Sequence, residues 1–473
     1  MVETKKGKRN SDHINVSIQA YTGIQNVEDY SDLMNKDEYL FFYKSAIQYA
    51  NTFGEQFRPA VFNTIDEVAA SEAQLPNTDW HDQVFEKDVP ITNVHATISD
   101  GGEDYTWGFS SGVFSQAGVV GGKDKSNFSR INMRLTAEYD ITSNFTITAN
   151  ADMVRMDRRQ VLENQNNETQ GIGIVTAANA VAPIYPAYAN NGVIFNPSFG
   201  TGGLNAANTV NANGVLLNSM NIYTSPLYSL AAADQNLNTS VYQFGAAATW
   251  NVLENLNATA SFSKFSSNAT FKIFQPDFAG TPIATEQYFF ILNGNQLNEN
   301  TWTNDIDNFD ANVEYTFNNL NKHHLKFLGG TSYQRIKGTA EFLQGNNLSV
   351  NTFNEADLDL AEVLTESDPA LSSNGFITRY NESKLFSLYS RALYNYDEKY
   401  LLTASLRADS SSKFGPNNQT GIFPSFSGGW VLSQESFMSS SNTINLLKLR
   451  ASWGVNGVDN IREDEYNTVY NEE

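Results

Sequence analysis

The chain predicts an all-β fold, part of a large antiparallel transmembrane β-barrel. Three observations carry the prediction: long segments of two-residue alternation, connections that are short on one side and long on the other, and aromatic residues beside the short ones. Residues 308–317 alternate most clearly. Phe309, Ala311, Val313, Tyr315 and Phe317 fall on one face, and Asn308, Asp310, Asn312, Glu314 and Thr316 on the other. After a turn at 318–324, Leu325, Phe327 and Tyr333 oppose Lys326, Ser332 and Gln334, as an antiparallel partner should. Tyr315, Phe317 and Phe327 then flank the turn, where a membrane barrel places its aromatic girdle.

The same reading along the chain predicts strands at 14–23, 91–99, 105–116, 127–139, 145–155, 242–250, 256–265, 304–317, 325–335, 383–396, 400–409, 422–432 and 447–454. Several reach ten residues, enough to cross a bilayer at a tilt and longer than ordinary soluble strands, which average about 5–6. Connections at 100–104, 140–144, 251–255, 318–324 and 397–399 are short; those at 156–241, 266–303 and 336–382 are long. Counting strands up and down puts these short ones on one side, as periplasmic turns opposite extracellular loops. Tyr105, Trp107, Tyr139, Phe145, Trp250, Tyr394, Tyr396 and Tyr400 sit near the short side. A soluble β-sandwich would also alternate, but strand length, one-sided loops and clustered aromatics weigh against it. Residues 35–51 have helical spacing and are expected to form a helix inside the first long loop, 24–90.

Composition sets the limits. The chain has 473 residues, 17% charged, and a net charge of −22, which argues against nucleic acid because phosphates would need a basic groove. It has no cysteine, so disulfides and thiolate chemistry are excluded. No run of eighteen apolar residues appears, which excludes a transmembrane helix but not a barrel. Lys5, Lys6, Lys8 and Arg9 precede no apolar run, so a signal peptide is not expected within this stretch.

The chemical motifs are weak. Ser410 to Lys413 spells S-x-x-K, but that chemistry needs a helix N-terminus and partner motifs, so the match is read as chance. Asp305, Asp307 and Asp310 lack the glycine and terminal glutamate of a calcium loop and are expected near a strand end and the lumen. His323 and His324 are adjacent and are read as a polar turn rather than a metal site. The acidic stretch from Glu355 to Asp368 is read as a solvated loop. No catalytic residue, metal site or cofactor is expected. Inward-facing Arg130, Arg134, Asn150 and Asp152 are the candidate ligand surface, against the plainer reading that they only wet a lumen.

A resemblance sharpens this picture. YLLTASLRADSSSKFGPNN at 400–418, GIFPSFSGGWVLSQESFM at 421–438 and LKLRASWGVNGVDNI at 447–461 resemble the SusC/RagA-type TonB-dependent receptors of the outer membrane of Bacteroidota-like bacteria. TDWHDQVF at 78–85, VHATISDGGEDYTWGFSSGVFSQAGVV from Val94, and VETKKGK at 2–8 are similar too. The resemblance implies that 1–13 is the end of a plug and its connection, and that 14–473 is the N-terminal portion of the barrel. It implies a fragment without its plug and C-terminal strands. It further implies import of a large nutrient, an oligosaccharide or a peptide. The expected partners are a SusD-like surface lipoprotein, the TonB complex acting through the missing N-terminal region, and outer-membrane lipid. A porin or adhesin barrel, or a secreted β-rich glycan-binding protein, remains the alternative.

Overall fold

The computed structural model describes residues 7–11, 13–28, 32–53, 64–161, 173–188, 194, 225–232, 234–275, 295–317, 321–350, 352–366, 378–438 and 443–461. Fourteen strands form one antiparallel sheet in which sequence neighbours pair, from β1 (Asn15–Gln25) to β14 (Lys448–Gly454). Between them run β2 (Val89–Gly101), β3 (Tyr105–Ala117), β4 (Asn127–Thr142), β5 (Phe145–Gln160), β6 (Asp234–Leu253), β7 (Leu256–Gln275), β8 (Gln296–Phe317) and β9 (His323–Leu348). Then follow β11 (Thr378–Tyr396), β12 (Tyr400–Ser411) and β13 (Thr420–Val431), while the short β10 (Ala361–Glu366) pairs only with the far end of β9. All thirteen strands expected from alternation are present, and β10 is additional. It lies in the acidic stretch expected as loop, so part of that stretch is sheet rather than solvated coil. Glu366 and Asp368 of the stretch lie outside the residues whose side chains are described.

The two faces differ as the alternation requires. Ile131, Met133, Leu135 and Tyr139 of β4 are exposed, while Asn132, Arg134, Thr136 and Glu138 are half-buried on the opposite face. We term these the outer and inner faces. Cross-strand rows on the outer face record the tilt. One row runs Phe109, Leu135, Ala151, Phe244, then Lys264, Asp307, Arg335, Lys384. It begins among apolar residues and ends among charges, as expected if strands are tilted and each row climbs across the sheet.

The tilt also explains why β6 to β9 outrun their expected spans. They contain 20, 20, 22 and 26 residues. On β8 the outward apolar positions that are not buried by other parts of the chain run from Phe309 to Phe317. At about 3.4 Å per residue and a tilt near 40°, that length spans roughly 20–25 Å, close to the apolar band of an outer-membrane barrel. Its upper end is an aromatic row, Phe262, Phe309, Tyr333 and Phe386, with the charged row directly above. Its lower end holds the pair Tyr315 and Phe327 beside the turn. Above the aromatic row no lipid enforces the alternation and it fades: Asn298, Asn300 and Asn304 inside oppose Glu299, Thr301 and Asp305 outside, while Leu297 near the top is buried with Phe274 and Leu348.

The loop asymmetry holds with exceptions. Residues 118–126 and 412–419 are tight connections on the long-loop side, and 432–447 is the longer link on the turn side. At 118–126 the chain folds back through Gly121 and Gly122, at φ 69° and 67°, a region that favours glycine. It is closed by Gly118 N–H donating to Ser126 O at 2.7 Å.

Among the described residues six helices lie on the long-loop side: α1 (Lys36–Phe53), α2 (Ile65–Ser71), α3 (Trp80–Val84), α5 (Ile174–Ala180) and α6 (Pro226–Ala232) in the long connections, and α4 (Gly122–Lys125) in the tight link at 118–126. Leu40, Tyr43, Ile47 and Ala50 recur at helical spacing on α1 and are buried. Leu40, Tyr43 and Ile47 join Val68, Trp80, Val84, Ile174, Ile184 and Leu227 in one compact core on the long-loop side. No described helix is long and apolar enough to cross a membrane.

Candidate functional site

The inner face carries the polar chemistry. On β4 and β5, Arg134 lies 3.4 Å from Asp152, and Asn150 donates to Asp152 at 3.3 Å. Arg130 stands over the Phe114 ring, 5.9 Å from its centroid. The four candidate residues thus share one face of adjacent strands, although Arg130 packs with an aromatic ring rather than joining the Asp152 cluster.

A second cluster, missed from sequence, spans β8, β11 and β12. Tyr389 donates to Asp310 at 2.8 Å, Asn312 donates to the same carboxylate at 3.1 Å, and Arg407 donates to Asp409 at 2.6 Å and to Ser387 at 2.8 Å. The parity signal was available: Asp310 alternates with Phe309, and Tyr389 with Leu388. The same parity corrects the grouping of Asp305, Asp307 and Asp310, which lie within β8 rather than at its end. Only Asp310 faces inward; Asp305 and Asp307 share the outer face with Phe309.

The remaining motifs resolve structurally. His323 and His324 begin β9 rather than forming a turn, and His323 Nδ1 lies 2.7 Å from the Tyr394 hydroxyl. Ser410 is on β12, where Thr420 donates to it at 3.3 Å, and Lys413 in the following turn donates to the Asp459 carbonyl at 3.2 Å. Helix geometry for acylation is therefore lacking at this pair. Among the described residues no three His, Cys, Asp or Glu groups converge on a metal-sized site.

The family-like run 78–85 has a clear local logic. Asp79 caps α3 by accepting from the His81 and Asp82 N–H groups at 2.9 and 3.2 Å. Trp80 is buried and donates through its indole to Ala182 O at 3.1 Å, tying the first long loop to the second. Burial also pushes the nearby Tyr39 hydroxyl up to about 12, and that of Tyr185 well above the usual range. On the turn side, Arg9 ahead of β1 reaches Glu138 at 2.8 Å and also pairs with Asp140, so these carboxylates raise its pKa. Asn10 N–H donates to Gly102 O at 3.1 Å, holding this segment against the β2–β3 turn.

These features define a wall of a large antiparallel membrane barrel with a polar inner face. No family model matches the chain. It is similar to TonB-dependent receptor P3 of Formosa agariphila, 26% identical over 99% of this chain and 41% of that protein. SusC of Bacteroides thetaiotaomicron is 26% identical over 98% of the chain and 41% of its own length. Among solved structures the RagAB peptide transporter matches with TM-score 0.69 at 20% identity, covering 97% of this chain and 49% of that one. The resemblance to SusC/RagA-type TonB-dependent receptors therefore extends along nearly the whole chain, which spans 41% of the length of these curated relatives.

Proposed function

We propose that this chain supplies barrel wall and extracellular loops to a TonB-dependent importer that carries a large nutrient across the outer membrane. The observation that carries the reading is the outward apolar band of β8 and β9, bounded by aromatic rows, on a sheet whose inner face is polar. Relatives named TonB-dependent receptors along the chain support it. The cargo is an oligosaccharide or a peptide, loaded by a SusD-like lipoprotein and released by TonB coupled to the inner-membrane proton gradient. In this reading Arg130, Arg134, Asn150 and Asp152 contact cargo or plug, and the segment ahead of Asn15 is the exit of the plug, held by Arg9. The protein does no covalent chemistry; polar side chains bind and release.

The test is genetic. Cells lacking the gene should lose growth on one class of oligosaccharide or peptide as sole source, and loss of TonB should reproduce the defect. Growth unaffected by TonB on the same nutrient would favour a simple porin.

A further inference from the structure

The charged row above the outward aromatics serves no purpose in the import reading. Lys264, Asp307, Arg335 and Lys384 are consecutive cross-strand partners on β7, β8, β9 and β11, directly above Phe262, Phe309, Tyr333 and Phe386. The next row adds Asp305, Lys337 and Glu382. This patch holds four cations against three carboxylates, in a chain of net charge −22. Its carboxylates fix the cations in place: Lys264 lies 3.2 Å from Asp307, and Arg335 and Lys384 lie 2.8 and 3.2 Å from Glu382. The side chains of Lys264 and Lys384 remain 51% and 52% exposed, pointing away from the sheet rather than into it. Beside Lys264 an apolar groove runs down the outer face between Met133, Leu135, Met153, Tyr242 and Phe244. Cations at the edge of an apolar band and a groove leading into that band are the two halves of a lipid site.

We propose that the outer wall binds a phosphorylated glycolipid of the outer leaflet. Its headgroup phosphates rest on Lys264, Arg335 and Lys384, and one acyl chain lies in the groove beside Tyr242 and Phe244. The position selects the occupant. The row lies on the long-loop side of the band, so in an outer-membrane barrel it meets the outer leaflet, where sugar-linked phosphates are at this depth; arginine and lysine are the side chains suited to phosphate.

This inference rests on the outer-membrane reading, and its test can fail separately. The intact receptor carrying this chain, purified in mild detergent, is titrated with bis-phosphorylated lipid A, its phosphate-free form and phosphatidylglycerol, and bound lipid is counted by native mass spectrometry. Bis-phosphorylated lipid A should bind at least about tenfold more tightly than the phosphate-free form, and the triple change Lys264→Gln, Arg335→Gln, Lys384→Gln should remove that advantage. Lys384→Gln alone, at a half-exposed side chain, should weaken binding about threefold without disturbing the fold, and Lys123→Gln should leave it unchanged. Equal binding by the triple variant, or of the phosphate-free form, would overturn the site. Preference for phosphatidylglycerol would overturn the glycolipid as its occupant. Cell fractionation tests membrane location independently, so an outer-membrane receptor with no charge-dependent lipid binding would sink this inference alone.

Discussion

The Tyr389 hydroxyl donates to Asp310 at 2.8 Å, linking β11 to β8 across the intervening β9. Gly330 on β9 makes the reach possible, because a Cβ there would stand 2.6 Å from the Tyr389 ring end and 2.7 Å from Ala311 O. Gly330→Ala should cost about 1–3 kcal/mol, since the Ala311 carbonyl is backbone and cannot swing aside. Tyr389→Phe should cost about 1 kcal/mol through the lost charged hydrogen bond. Heat-dependent gel mobility of the folded receptor measures both; an unchanged midpoint for Gly330→Ala would disprove the close packing.

Leu135 is 47% exposed on the outer face, and Arg134 points to the inner one. In the folded, membrane-inserted protein, Leu135→Arg near the midplane should cost about 2–4 kcal/mol by urea titration in lipid vesicles. Arg134→Leu should be tolerated by the lipid face and affect only inner contacts. The reverse ranking would exchange the two faces.

How much of this was legible depends on where each residue meets solvent. Within the band, lipid outside and polar chains inside enforce alternation, so Phe309 to Phe317 and Ile131 to Tyr139 could be read directly. Above it that constraint lapses, and the upper halves of β7, β8 and β9 carried no such mark. The inner-face cluster of Asp310, Tyr389 and Arg407 was hidden for another reason: Asp310 lies about 80 to 100 residues before the other two in sequence and meets them only through pairing register. Trp80 belongs to a family-like run, but its bond to Ala182, 102 residues away, exists only in the fold.

Trp80 joins two loops through one buried bond and one buried ring. Trp80→Ala should cost about 3–5 kcal/mol locally and expose the loop-side core. Limited proteolysis should then cut within 64–90 or 173–188 while the sheet stays intact. Protection equal to the parent would show that the loops hold without it.

Tyr39 and Tyr185 favour their neutral forms when folded, so both oppose ionisation. Their stabilising effect is full below the ordinary tyrosine value near 10 and fades as pH rises through the folded value, about 12 for Tyr39. Absorbance at 295 nm should show exposed tyrosines ionising near pH 10, with these two following above it as the loop core opens. Replacing each with Phe identifies its step; titration of both near pH 10 would contradict their burial.

Among the described residues β1 pairs only with β2 and β14 only with β13. In a bilayer each unpaired backbone group costs several kcal/mol. The 473-residue chain purified by itself should therefore give no discrete single-channel conductance in a planar membrane. Reproducible unitary steps would show that these edges find each other.

The tall strands β8 and β9 leave one dimension of the molecule unconstrained. Above Phe309 and Tyr333 roughly 30 Å of paired wall extends beyond the apolar band. Residues added there in twos, on both strands, would keep every side chain below on its own face. Rim height is therefore an adjustable quantity: a lineage can deepen or shorten the wall above the apolar band without changing the face that any side chain below it presents.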